Sequence, residues 1–162
     1  MSYLDLVNNI LKRLRERTVS SINESSYSSL IAVLLNDAKE TVENSWNWSG
    51  LRTTLTATTS NGVFNYELNG SQNSLTILDV INVEENIFLK PKGSHEFNRF
   101  FLSDNVGTGS PYWYSYNGIS SDGDTQVDFY PIPDGVYTIR FNCVLRTGDL
   151  TEDADTLSVP SK

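Results

Sequence analysis

The sequence predicts an α+β protein: an N-terminal antiparallel helix pair, then an antiparallel β-sandwich or barrel-like domain with one short inserted helix. Three observations carry this. Apolar residues recur at spacings of three and four up to Trp46, the mark of helices with one buried face. From Leu51 onward the chain turns into short β-prone runs separated by Gly-, Asp- and Pro-containing turns. A phenylalanine-rich stretch, "HEFNRFFL", interrupts those runs with helical spacing.

Each element follows from local chemistry. Ser2 with Asp5 reads as a capping box, and a carboxylate is favoured in a first turn. Leu4, Val7, Leu11 and Leu14 then form one apolar face, with Lys12, Arg13, Arg15 and Arg17 crowding the last turns, where they complement the helix dipole. "TVSSINESS" is a polar loop. A second helix starts near Ser25 or Ser26, with Tyr27, Leu30, Ile31, Leu34, Ala38 and Val42 in period and Trp46 continuing it. Gly50 lies where a C-terminal cap falls.

"LRTTLTATT" and "GVFNYEL" read as strands around the turn "SNG". "LTILDVINV" follows, then "IFLKP", which ends at a proline. "HEFNRFFL" sets Phe97, Phe100 and Phe101 on one side of a short helix. "PYWYSYNG", "TQVDFYPI" and "GVYTIRFNCVLR" complete a sheet of six or seven strands, the last showing the clearest apolar–polar alternation. "SSDGD" reads as a turn and "PIPDG" as a hairpin connection. Residues 1–50 are thus a helical part, 51–150 a β-rich domain and 151–162 an acidic C-terminal segment.

At 162 residues the chain is long enough to bury about 70% of its unfolded surface. Its net charge of −8 argues against a surface that grips phosphates, because nucleic-acid affinity rests on clustered Lys and Arg. A single cysteine, Cys143, excludes an internal disulfide and a cysteine-based structural zinc site. In "MSYLDLVNNILKRLRER" the charges follow the apolar residues, the wrong order for a signal peptide, and no run approaches the roughly 20 apolar residues of a membrane span. The expectation is a soluble protein made in a cytoplasm.

No catalytic constellation emerges. His95 opens the short aromatic helix, and no spacing links it to a nucleophile or a metal. Cys143 falls on the apolar side of a strand, the place of a small buried hydrophobe. Asp122, Asp124 and Asp128 in "DGDTQVD" lack the glycine and distal glutamate of a calcium loop, so a hairpin turn accounts for them better. Glu152, Asp153 and Asp155 read as a solvated acidic loop. No cofactor, metal or catalytic residue is expected. "PYWYSY" holds four aromatics in six residues; strand alternation sends Tyr112, Tyr114 and Tyr116 to one side and Trp113 to the other. Tyr112, Trp113 and Tyr114 are therefore a candidate aromatic interface, with a receptor- or glycan-binding tail module as the alternative function. Trp46, Trp48 and Leu51 are the candidate corner that fastens helices to sheet, since large rings bury much area with few rotamers to freeze.

"YLDLVNNILKRLRE", "LIAVLLNDAKETVENSWNWSGLRTTLT", "PYWYSYNG", "VDFYPIPDGVYTIRFNCVLR" and "LTEDADTLSVP" occur in that order from Tyr3 to about Pro160. Together they resemble the head-to-tail adaptor, or connector, proteins of short-tailed bacteriophages, of the tail tubular protein A kind. The resemblance implies a structural virion protein without catalysis, at the head–tail junction. Copies would form a dodecameric ring under the portal protein, with the helical part facing the portal and the β-rich part receiving the tail nozzle. DNA would pass through the channel without sequence-specific binding. It further implies that more helices follow the "VP" in such proteins. Lys12, Arg13, Arg15 and Arg17 become candidate portal or subunit contacts.

Overall fold

The computed structural model describes residues 1–71, 75–102 and 104–158; of the expected acidic C-terminal segment, residues 159–162 lie outside that range. The fold is mixed α+β, with two helices at the N-terminus, two sheets and one short helix among the strands. It divides into two compact units, Met1–Leu51 with Arg146–Lys162, and Arg52–Leu145.

In the first unit, α1 (Tyr3–Arg13) begins with the capping box expected from Ser2 and Asp5: each side chain accepts from the other's backbone N–H. Such a cap contributes about 1 kcal/mol. The second helix, α2 (Ser26–Ser45), opens on a similar reciprocal cap between Ser25 and Ser28. Tyr3, Val7 and Leu11 of α1 pack with Ile31 and Ala32 of α2, with Ile22 from the loop and with Leu150 from the Arg146–Lys162 part of the unit. Tyr3 is buried entire, so its hydroxyl must find partners. It donates to the Ala32 carbonyl at 2.6 Å and accepts from Asn36 Nδ2 at 3.2 Å. Asn36 also pairs both ways with the Leu150 backbone. The expected acidic loop is built into this unit: Asp155 and Asp153 carbonyls accept the first N–H groups of α1, and Asp153 Oδ1 accepts from Ile22 N.

Among the described residues the second unit holds eight strands where six or seven were expected. They are β1 (Arg52–Thr58), β2 (Asn65–Leu68), β3 (Leu75–Asn82), β4 (Ile87–Phe88), β5 (Lys90–Pro91), β6 (Trp113–Ile119), β7 (Thr125–Tyr130) and β8 (Thr138–Leu145). One sheet runs β1-β8-β3-β4 and the other β2-β7-β6-β5. Ala57, Val80, Ile139 and Phe141 from the first meet Leu68, Tyr114, Val127 and Phe129 from the second in one buried cluster. This is a sandwich of two separate sheets, not a closed barrel.

Three details differ from expectation. "IFLKP" is not one strand: Leu89 N bonds to Val80 O in the first sheet, and Lys90 N bonds to Tyr112 O in the second. Pro91 lacks an N–H and sits on an edge, where none is required. β5 is also parallel to β6, so the second sheet is mixed; the return path that a parallel pair demands carries α3 (Ser94–Phe101). Finally, "PIPDG" is not a hairpin, because β7 and β8 lie in different sheets. Pro131 and Pro133 cannot donate to a ladder, and the chain crosses instead. The β1–β2 connection changes sheet as well, and buried Thr59 ties the two. Its backbone N–H donates to Tyr137 O, while its hydroxyl donates to Gly135 O and accepts from Tyr137 N. The "SSDGD" turn does close a hairpin, between β6 and β7, with Gly123 at φ 89°.

Candidate assembly surface

The basic cluster of α1 straddles the helix end. Lys12 and Arg13 lie in the last turn, but Leu14 is the C-cap, and Arg15 and Arg17 fall beyond it. Arg15 N donates to Lys12 O and Glu16 N to Leu11 O, the paired bonds of a Schellman ending. That ending needs a left-handed residue, a place usually taken by glycine; here Arg15 fills it at φ 60°. With no glycine to mark it, the stop was invisible in the sequence. Leu14, 51% exposed, falls in a stretch with four exposed cations and one exposed acid, Glu16.

On α2 the face expected to be buried is mostly exposed. Tyr27, Leu30, Leu34 and Val42 are 45%, 52%, 55% and 44% accessible, with Val33 beside them at 58%. Spacings of three and four place Tyr27, Leu30, Leu34, Ala38 and Val42 on one side of the helix. The buried side is Ser28, Ile31, Ala32, Lys39 and Glu43. Two rows had helical period, and the more apolar one lies outward. The inner row is bound by polar groups. Lys39 Nζ donates to the Thr147 and Gly148 carbonyls at 2.8 and 2.9 Å and sits 3.3 Å from Glu43 Oε1. Glu43 in turn accepts from the Thr147 hydroxyl and N–H. Sequence reasoning missed both residues, because a Lys–Glu pair one turn apart ordinarily marks a solvated face.

The corner residues separate. Helix α2 ends at Ser45, so Trp46 is its C-cap in extended conformation and is 72% exposed. Trp48 is half-buried, and its Nε1 donates to the Val42 carbonyl at 2.8 Å, satisfying one of the open acceptors at the helix end. Leu51 is buried, at the end of the short 3-10 turn Ser49–Leu51.

The aromatic trio also divides. Tyr114 is a core residue, edge-on to Phe141. Tyr112 precedes β6 and escapes its alternation, so its ring meets Trp113 edge-to-face at 5.0 Å. Lys90 Nζ lies 5.0 Å from the Tyr112 centroid and Lys92 Nζ 4.6 Å from that of Trp113. Each ring therefore carries a cation over one of its faces. Nearby, Phe97 of α3 is buried, Phe100 stacks on Tyr130 at 4.3 Å and Phe101 meets Phe64 at 4.9 Å.

The remaining groups that could do chemistry lie apart from one another in the sequence. His95 is exposed in the first turn of α3. Burial pushes the Cys143 thiol up, away from the thiolate a nucleophile needs. Asp124 accepts from Gly70 N, and Asp128 accepts from Asn65 and Asn117 amides. Among the described residues no group of three or more His, Cys, Asp or Glu is placed to hold a metal ion. Nor, among them, is any helix long and apolar enough to cross a membrane.

No curated protein matches the chain. A family model described as SU10 adaptor protein matches residues 1–162.

Proposed function

The chain belongs to the SU10 adaptor protein family, and from that membership we propose that it is a head-to-tail adaptor whose copies form a ring between portal and tail nozzle. The family makes it a structural phage protein and virion component, implies a non-catalytic role and implies contact with other head or tail components. The ring, matched to a dodecameric portal, its open channel for DNA and the identity of the two neighbours are the finer reading. The helical unit faces the portal in this reading, and the sandwich meets the nozzle. The observation that carries it is the apolar row exposed along α2, together with the exposed basic end of helix α1. A protein that worked alone would be expected to turn such a row inward.

Native mass spectrometry with the portal ring of the same phage tests the proposal. The expected species is a portal ring carrying about one adaptor chain per portal chain, a match of symmetries. A chain that stays monomeric beside the portal overturns the reading. The glycan-binding alternative is disfavoured by the lysines that cap Tyr112 and Trp113.

A further inference from the structure

We propose that the outer face of α2 receives the basic end of α1 from a second copy of this chain, a head-to-tail contact that rests on the ring reading above. Size decides first what such a face can do. A helix of twenty residues is about 30 Å long and 10–12 Å across, so its outward stripe offers a footprint of roughly 300 Å². A stable interface takes about 800 Å² from each partner. The stripe alone is too small to hold a dimer, but it suits a contact repeated around a closed ring, where each chain is held on both sides.

Charge then selects the occupant. Leu30, Leu34 and Ala38 are flanked by Asp37 and Glu40, all on the exposed side of α2. The end of α1 offers the complement: Leu14 is an exposed apolar residue in a stretch where Lys12, Arg13, Arg15 and Arg17 are exposed as well, against one acid, Glu16. Two stripes placed face to face would bring Asp37 and Glu40 toward their own copies, which like charge opposes. Complementary patches that differ from each other make a heterologous contact. Such contacts propagate from copy to copy and close into a ring when the rotation permits. The Schellman ending adds rigidity. It fixes the basic turn as part of the helix terminus, so little order has to be gained on docking.

The test is disulfide trapping between two variants, one with Leu14→Cys and one with Leu34→Cys, one of them isotopically labelled. Native Cys143 is buried and does not compete. They are mixed at high chain concentration and, separately, co-assembled into phage particles. The mixed 14–34 disulfide should dominate over both like-with-like products. Arg13→Glu with Arg15→Glu should lower the mixed product at least about tenfold, an association loss near 1.4 kcal/mol. Adding Asp37→Lys with Glu40→Lys to the partner should restore it, a rescue that a misfolded variant cannot give. Dominance of the 34–34 product overturns the proposal in favour of stripe-on-stripe packing. A mixed product insensitive to charge reversal overturns it as well. Particles that carry many copies yet yield no 14–34 product overturn this contact alone. Particles that lack the chain overturn the adaptor reading itself.

Discussion

Lys39 and Glu43 stand one turn apart on α2, buried together, with 3.3 Å between Nζ and Oε1. Both also reach the backbone of residues 147–148, so the pair joins the helix to the C-terminal segment of its own unit. A buried pair is not in itself strong evidence for stability, because desolvating two ions offsets most of their attraction. Breaking it is another matter. Glu43→Leu or Lys39→Met alone should cost about 3–5 kcal/mol by leaving one buried charge uncompensated. The double variant should recover most of that loss. Urea unfolding of the four proteins in a double-mutant cycle checks this. A double variant as unstable as the worse single would show that the backbone bonds, not the pair, carry the energy.

Trp46 and Trp48 are two residues apart and should respond oppositely. Trp46→Ala removes an exposed ring and should leave the melting temperature almost unchanged, within about 0.5 kcal/mol. Trp48→Phe keeps one aromatic ring but deletes the donor to Val42 O along with part of the half-buried indole, which should cost about 1 kcal/mol or more. Thermal denaturation followed by circular dichroism separates the two. Equal losses would mean that Trp46 packs against something within the isolated chain.

Gly107 lies under the aromatic group around α3. A methyl group there would stand 2.8 Å from the Tyr130 hydroxyl, closer than real side chains approach. Tyr130 cannot easily withdraw, since its ring is stacked on Phe100. Gly107→Ala should therefore destabilise by about 1–3 kcal/mol through overpacking. Pairing it with Tyr130→Phe, which removes the hydroxyl, should return part of the loss. Chemical unfolding of both proteins reads the difference.

Acid should loosen the helical unit. The Ser2 backbone N–H, then its hydroxyl, hold Asp5 below its usual 3.8; the Ser20 N–H and hydroxyl hold Glu24 below 4.5. The backbone N–H groups of Glu152 and Thr151 hold Asp155 below 3.8. A carboxylate lowered in the folded state favours folding in its charged form. The contribution is full above the ordinary values and is lost as pH falls through the lowered ones. Melting temperature should thus hold steady from neutral pH to about 5 and then fall. Asp5→Asn, Glu24→Gln and Asp155→Asn together should lower it at neutral pH and flatten its fall in acid. An undiminished acid slope in that variant would place the sensitivity elsewhere, with Glu84, held low by the Thr138 hydroxyl and N–H, the next carboxylate to replace.

Much of this molecule was legible in the order of its residues. Capping serines, the helical periods, the Phe-rich inserted helix and the alternation of β8 are local signals, and each acts over a few residues whatever surrounds it. The α+β class followed from those alone. Tertiary structure decided which of two periodic rows on α2 turns inward, and it chose the one with Lys39 and Glu43 because residues 147–148 supply their partners. It also split "IFLKP" between two sheets and carried "PIPDG" across the sandwich, since a strand's sheet is set by distant pairing and not by its own composition. The same limit explains the candidate surface. A run of apolar residues in a sequence states only that burial would be favourable; what covers it depends on neighbours far along the chain, or on another copy of it.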